Sequence, residues 1–272
     1  MKLYTVFLTA SIAALGSLHA QDLVRGPDNG KSGVSLMPIP GAPLTGKSTI
    51  EWKRVQADGS TVVTHETSNL ARDSQGRIYR ERHDYVPMDE DPMSRLTELQ
   101  IFDTVKHTKT FCRVQTKRCE VDSYYPQKHF SLAATGWNEE HTIFLERESL
   151  GANQIDGLDV SGVRETQTVN AGVKGNAQPL VTKKEFWYSE ALQTNVLTRR
   201  FDPLNGIQVV KLTDAQLGEP DPEWFMVPEG FSVEDKRKKV VILIPVPAGT
   251  KRPEYNGKDV PTAAPSETQP QQ

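Results

Sequence analysis

The chain has 272 residues and a formal net charge of -3, with 25% charged and 36% hydrophobic residues. Charges of both signs are interspersed, which argues against nucleic acid or a strongly anionic membrane as the partner. The length suffices for one large β domain or two small ones.

The first twenty residues have the pattern of a secretory signal peptide. Lys2 is basic, residues 3–18 are apolar and rich in Ala, and the small Ala20 favours cleavage before Gln21. The alternative, a membrane anchor that stays, normally needs about 20 apolar residues, which is longer than this run. We therefore predict a protein exported to the periplasm or the cell exterior, and one that is not an integral membrane protein after cleavage.

Residues 21–45 are rich in Gly and Pro without a regular apolar period, and they predict an extended arm. Residues 46–233 alternate strand-like stretches with turn signals, and they predict one antiparallel β domain. Residues 234–247 combine a basic run with a short apolar run, which we interpret as a turn and one extra edge strand. Residues 248–272 are polar and rich in Pro, Thr and Gln, and they predict a disordered tail.

The β domain contains many short strands separated by turns such as Asp58-Gly59 and Asn205-Gly206. No stretch has a sustained apolar period of 3.6 residues, although residues 219–225 are expected to form one helical turn. The pattern predicts a mostly β (α+β) fold. We expect a curled antiparallel sheet, or half-barrel, of about 10–11 strands with one or two short helices.

Cys112 and Cys119 are the two cysteines of the chain. Because an exported protein meets oxidising conditions, we predict a disulfide between them, with a redox-active pair or free thiols as alternatives. A two-residue turn would make them a hydrogen-bonded pair of an antiparallel hairpin. A four-residue loop, Val114 to Lys117, would make them a non-hydrogen-bonded pair with closer side chains, and we expect this arrangement.

Several short motifs resemble a family of uncharacterised secreted proteins from acidobacteria, over most of residues 41–233. They are Ala57-Asp58-Gly59, residues 71–77 with Arg80-Glu81, Phe102-Asp103, Leu150-Gly151 to Gly157, residues 186–189, Asp202-Pro203, and residues 219–222 with Val227-Pro228. The strand order and the motif after residue 219 also resemble the lipoprotein-carrier (LolA/RseB-like) superfamily. That resemblance implies a half-closed sheet with helices over an apolar cavity for acyl chains, and it transfers no residue roles.

Gly41 to Ser48 match the P-loop pattern G-x-x-x-x-G-K-[ST]. A P-loop must follow a buried strand and begin a helix, so that backbone N–H groups face the phosphates. Here two prolines precede the motif, and Thr49 to Val55 alternate like a strand. We interpret the match as chance and predict no nucleotide binding and no cofactor.

His65 and His83 lie on neighbouring predicted strands, but the sequence has no histidine ligand pair at metal-binding spacing. The acidic loop Asp89-Glu90-Asp91 lacks the ligand spacing of an EF-hand, and no G-x-S-x-G motif is present. We therefore predict no metal site and no enzyme activity, with an unrecognised active site as the alternative.

The hypothesis of a ligand-binding cavity rests on the large aromatic side chains. The candidate walls of an apolar cavity are Trp52, Phe102, Phe144, Trp187, Trp224 and Phe225, with ordinary core packing as the alternative. The first hypothesis is a non-catalytic envelope protein that binds a lipid, acyl chain or apolar segment in a concave sheet. The second is a protein-interaction or sensor module of the envelope with a solid core. A continuous apolar concavity would favour the first, and a filled core the second.

Overall fold

The computed structural model describes residues 33–93, 95–126 and 134–237. These residues form a single open sheet of 14 strands and a short 3-10 helix, Pro222–Phe225, which confirms the mostly β fold class. Within these ranges no helix is both long enough and apolar enough to cross a membrane. The predicted signal peptide, its cleavage site at Ala20 and Gln21, and the predicted disordered tail lie outside the described residues.

In chain order the strands are β1 (Leu44–Val55), β2 (Thr61–Arg72), β3 (Ile78–His83), β4 (Val86–Pro87), β5 (Leu96–Asp103), β6 (Thr108–Arg113), β7 (Arg118–Ser123), β8 (Gly136–Trp137), β9 (Ile143–Ile155), β10 (Leu158–Val169), β11 (Leu180–Ser189), β12 (Thr194–Asp202), β13 (Gly206–Leu217) and β14 (Ser232–Asp235). Across the sheet the order is β14-β7-β6-β5-β3-β2-β1-β13-β12-β11-β10-β9-β8, with β4 beside β2. β1 pairs with β2 and β13, so it joins the two meanders of the chain.

The strand number exceeds the predicted 10–11 because of short strands that the sequence does not mark. β4 and β8 have two residues each. β14 crosses the predicted domain boundary at residue 233 and runs parallel to β7, whereas a purely antiparallel sheet was expected. Such pairings depend on partners far away in the sequence, so local propensity does not reveal them.

The disulfide between Cys112 and Cys119 is present, with the predicted four-residue loop between β6 and β7. The two Cα atoms are 3.9 Å apart, which agrees with the close approach of a non-hydrogen-bonded pair. Lys117 ends the loop with a φ of +49°. Both cysteines are buried against Leu99, so the bond also forms part of the core.

The two faces of the sheet differ in what covers them. Residues 33–43, here called the arm, run over the face that carries Ile50, and we call this the arm face. The Val34 N–H donates to the Ser48 hydroxyl at 2.8 Å, and the backbone of Gly33 lies close to Ser48 and Ile50. The other side of the sheet is called the opposite face. Along β1, residues 44, 46, 48 and 50 are buried on the arm face while their neighbours are partly exposed.

Arg72 fixes the arm to the sheet. Its guanidinium is fully buried and donates to the carbonyl oxygens of Ala42 (2.7 Å), Met37 (3.1 Å) and Leu192 (2.7 Å). Leu192 lies in the turn between β11 and β12, so one side chain connects the arm, β2 and the second meander. Burial lowers the pKa of Arg72 to about 10.

Two of the motifs that carry the resemblance, residues 71–77 and 219–222, meet at this end of the sheet. Asp73 accepts bonds from the backbone N–H groups of Gln75 and Arg77, which shapes the turn after β2. At Gly76, with a φ of +79°, a Cβ atom would lie 3.1 Å from the Pro38 carbonyl of the arm. Glu219 accepts from the Ser74 N–H at 3.1 Å. These motif residues therefore have structural roles.

Candidate functional site: a cleft beside Trp187

The six aromatic residues predicted to line one cavity are divided between the two faces. Following the strand register, Trp52 and Phe102 lie on the arm face, whereas Phe144 and Trp187 lie on the opposite face. Trp224 and Phe225 belong to the 3-10 helix, which covers Ala71 and Tyr79 of the opposite face. The prediction of a single cavity wall is therefore wrong. In a strand, position parity decides the face, and aromatic character does not reveal that parity.

The arm face is a filled core rather than an open apolar concavity. Val34 from the arm packs with Leu44, Ile50, Leu70 and Val210, and all five are at most 1% exposed. Phe102 borders a cavity of about 100 Å³ beneath the arm, together with Tyr124. Ligand pockets usually have about 300–1,000 Å³, so this cavity is too small for an acyl chain.

A larger cleft, of about 380 Å³, lies on the opposite face, and we call it the Trp187 cleft. Its lining residues are Asn153, Gln154, Ile155, Asp156, Trp187, Leu197, Arg199, Val209 and Lys211. The floor is apolar and comes from β11, β12 and β13. The tip of the β9–β10 hairpin forms one wall. The volume lies in the range of small-molecule sites.

Local sequence explains how the hairpin reaches this cleft. Asp156 and Gly157 have φ values of +49° and +79°, the two left-handed positions of a type I′ turn. Ile155 and Leu158 on either side of the turn pack against the buried apolar cluster that contains Trp187 and Leu197. Asp156 forms an ion pair with Lys211 of β13 at 2.9 Å, so the tip is attached across the cleft.

Gly162 makes room for the Trp187 ring. A Cβ atom at Gly162 would lie 2.6 Å from Trp187 Cζ3, so only glycine allows the indole to lie flat across β10. The register shifts by one residue just after Gly162 and just after Trp187, and such bulges re-aim side chains. The Trp187 side chain is 9% exposed, and its indole Nε1 has no hydrogen-bond partner within the described residues.

The residues that line the cleft carry one net positive charge, and both cations lie beside carboxylates. Arg199 and Lys211 contribute two positive charges and Asp156 one negative charge. Beside the cleft, Glu185 lies 3.7 Å from Arg199 and accepts a hydrogen bond of 2.7 Å from Arg164. Hydrogen bonds to Glu185 and Glu148 raise the pKa of Arg164. An apolar floor bordered by arginine and lysine side chains suits a ligand with an apolar chain and an acidic end that replaces one of these carboxylates.

Two other predicted residues lie in separate polar environments. Trp224 borders a wide cleft of about 440 Å³ with Lys47, Asn69 and Asp214. Trp52 lies in a polar region of the arm face: its ring stacks beneath the Arg54 guanidinium at 4.7 Å and contacts Tyr85 at 5.9 Å between centroids.

Gly41 to Ser48 do not form a phosphate-binding loop. The second half of the motif, from Leu44 onward, is the start of β1 and pairs with β2 and β13 on its two sides. β1 continues to Val55 and leads into β2 rather than a helix. The backbone N–H groups therefore belong to the sheet, which agrees with the interpretation of a chance match.

His65 and His83 bind different partners. His65 Nε2 lies 2.9 Å from the Glu90 carbonyl, and His83 Nε2 lies 3.2 Å from a Glu81 carboxylate oxygen. In the part of the chain that the structure describes, no three His, Cys, Asp or Glu residues are grouped so that they could hold a metal ion.

No family model matches the chain, and no curated protein matches it. Solved structures that match the chain include an uncharacterised conserved protein from Thermus thermophilus, with 8% identity, a TM-score of 0.40, and coverage of 72% of this chain and 91% of that one. The MucA/MucB complex of Pseudomonas aeruginosa matches with 8% identity, a TM-score of 0.35 and coverage of 68% and 56%. A LolA superfamily protein from Nitrosomonas europaea matches with 8% identity, a TM-score of 0.28 and coverage of 69% and 91%. At these values the likenesses assign the chain to no family.

Proposed function

We propose that this protein is an exported, non-catalytic binder of an apolar ligand, such as an acyl chain with an acidic end, and that it binds this ligand in the Trp187 cleft. The observation that carries the proposal is the cleft itself: an apolar floor of Trp187, Leu197 and Val209 beneath a rim that includes Arg199 and Lys211. Binding would proceed by burial of apolar surface, at about 25 cal/mol per Å², without covalent chemistry. The unpartnered Trp187 N–H would orient a polar atom of the ligand.

The first test is mass spectrometry of lipids extracted from the mature protein after native purification from an expressing periplasm. We expect a stoichiometric acyl species. A lipid-free protein would count against the proposal, unless a fatty acid with a fluorescent tag binds the purified protein in a saturable manner. If neither is observed, the proposal is wrong.

The second test locates the ligand. Val209 is half-buried on the cleft floor, so Val209→Trp should fill the cleft and weaken binding of the tagged fatty acid at least tenfold. Trp187→Phe keeps an aromatic side chain but removes the N–H together with part of the indole surface, and should weaken binding about threefold or more, at least the effect of one hydrogen bond. Val233→Trp, at an exposed position on β14, is the matched control. Equal affinity in V209W and V233W would place the ligand elsewhere.

A second candidate function, protein interaction, is favoured by the edge of the sheet. β9 has 13 residues, and β8 pairs with Phe144 and Leu145 alone within the described ranges. The rest of β9 is a long edge, and such edges can accept an extended peptide as an added strand. Wild type should capture an envelope protein, and Ser149→Pro, which interrupts the edge, should abolish that capture. These two results together would support this function. Capture that is unchanged in S149P would exclude this edge.

A further inference from the structure

The arm face carries a row of polar side chains next to its apolar core. Residues paired across seven neighbouring strands form this row, here called the polar row: Arg147, Glu165, Lys184, Arg200, Gln208, Trp52 and Thr64. The adjacent row contains Val163, Phe186, Val210 and Ile50, which are all buried. Polar groups this close to a core normally find hydrogen-bond partners, because burial without one is costly.

Three polar atoms around Trp52 have no hydrogen-bond partner within the described residues. Gln208 and Thr64 flank Trp52 on β13 and β2, and Arg54 lies over its ring. Gln208 is 5% exposed, and its Nε2 has no hydrogen-bond partner within the described residues. Thr64 Oγ1 and Arg54 Nε likewise have no hydrogen-bond partner among the residues that the structure describes. Each of these three groups can donate a hydrogen bond, and the amide and guanidinium nitrogens can only donate.

The charge at this place is positive. Arg54 and Arg82 both interact electrostatically with the Tyr85 hydroxyl, which lies beside the Gln208 side chain. Glu66, whose pKa is raised by burial, is a nearby carboxyl that offsets one of these charges. Arg200 is paired with Gln208 across β12 and β13 and adds a third positive charge.

From this arrangement we infer that the protein has a second binding site, for an anion with several acceptor oxygens such as a carboxylate or phosphate group, formed by Arg54, Thr64 and Gln208 around Trp52. Acceptor oxygens would satisfy the donors that the protein leaves unpaired, and charge-assisted hydrogen bonds to arginine are among the stronger ones. The site lies on the arm face, so it is distinct from the Trp187 cleft.

The side chains around the site reach the surface, although the three donor atoms themselves are buried. Trp52, Arg54, Thr64 and Tyr85 are partly exposed, whereas Gln208 below them is buried. An anion that enters beside the Trp52 ring would therefore have to displace part of this cover to contact Gln208 at the bottom. The Trp52 N–H itself donates to the Asn205 carbonyl at 2.7 Å, which fixes the ring as one wall.

The test uses the purified mature protein with inorganic phosphate and with acetate, each compared with chloride at equal ionic strength. We expect phosphate or acetate to raise the melting temperature of the wild type and to shift the ¹⁵N resonances of Arg54 Nε and the Trp52 indole. Arg54→Met keeps the stem and removes the donors, so it should weaken anion binding about tenfold or more. Lys53→Met, which removes a neighbouring charge on the opposite face of the same strand, is the control and should bind like wild type.

Thr64→Val removes the hydroxyl with little change in shape and should weaken binding severalfold. If a lysophospholipid binds through this site but inorganic phosphate does not, the anion is a lipid head group rather than a free ion. Equal responses of wild type, R54M and K53M, or no response to any anion, would show that water alone fills the site and would overturn the inference. V209W should bind the anion normally, so this test is independent of the Trp187 cleft.

Discussion

Individual residues show that charge at a strand position does not predict exposure in this protein. Arg72 and Glu66 are charged in sequence, yet both are buried on the arm face. A buried charge is tolerated when hydrogen bonds compensate for lost hydration. Arg72 has three carbonyl acceptors, whereas Glu66 accepts the His83 N–H at 3.2 Å and lies near Arg82.

Glu66 gives a prediction about pH. Burial raises its pKa above the ordinary value of 4.5. The folded state thus holds the proton more tightly than the unfolded state, and the contribution of Glu66 is most favourable below pH 4.5 and is lost as the pH rises through the raised pKa. Glu66→Gln, which cannot ionise, should raise the melting temperature at pH 7 by about 2 °C and have little effect at pH 4.

Thermal unfolding of wild type and E66Q between pH 4 and pH 7 checks this expectation. Glu51→Gln, at an exposed position of the neighbouring strand, is the control and should show no such difference. A stability gain in E66Q that is the same at both ends of the pH range would show that ionisation of Glu66 is not the cause.

At the scale of elements, tight turns and bulges decide where the hairpins lie. The Asp156-Gly157 turn closes β9 and β10, and the bulges near Gly162 and Trp187 direct the hairpin tip onto β13. The β6–β7 hairpin is instead fixed by its disulfide, which should add about 2.5 kcal/mol in the chain-entropy model. Turn residues and cysteines are visible in the sequence, but bulges are not, because they depend on the partner strand.

The contact between Gly162 and the Trp187 ring can be tested by overpacking. Gly162→Ala should cost about 2 kcal/mol, because the new methyl group would overlap the indole. In a Trp187→Leu background the ring is gone, and the same change should cost less than about 1 kcal/mol. Urea unfolding of the four proteins measures this coupling. Equal costs in both backgrounds would show that the Trp187 ring is not what excludes a side chain at residue 162.

At the scale of the whole molecule, the arm closes the core of an open sheet. Helices do not cover the arm face in the described ranges, and Val34 with its neighbours fills that role. Arg72 connects the arm with the turn between β11 and β12, which belongs to the other meander. One buried side chain therefore couples the two halves of the chain.

Arg72→Met should release the arm. It removes the guanidinium donor from the buried carbonyl oxygens of Ala42 and Leu192, so we expect a loss of about 3 kcal/mol in the free energy of unfolding. The Met37 carbonyl keeps its bond from the Ile39 N–H. Arg72→Lys should lose nearly as much, since one ammonium group cannot reach all three acceptors in the fork geometry of a guanidinium. Hydrogen exchange should become faster at Val34, whose N–H bonds Ser48. Unchanged exchange there in R72M would mean that other contacts hold the arm.

Sequence by itself was sufficient for the β class, the main strands, the turns and the disulfide loop, because these follow from period-2 patterns and local turn chemistry. Trp187 borders a cleft on the opposite face, and its part in ligand binding stays a prediction. The tertiary structure decided which residues share a face, because that depends on register, bulges and the path of the arm. It brought Arg54, Thr64 and Gln208 together from three strands. Their unpaired donors can be recognised only when this strand pairing is known.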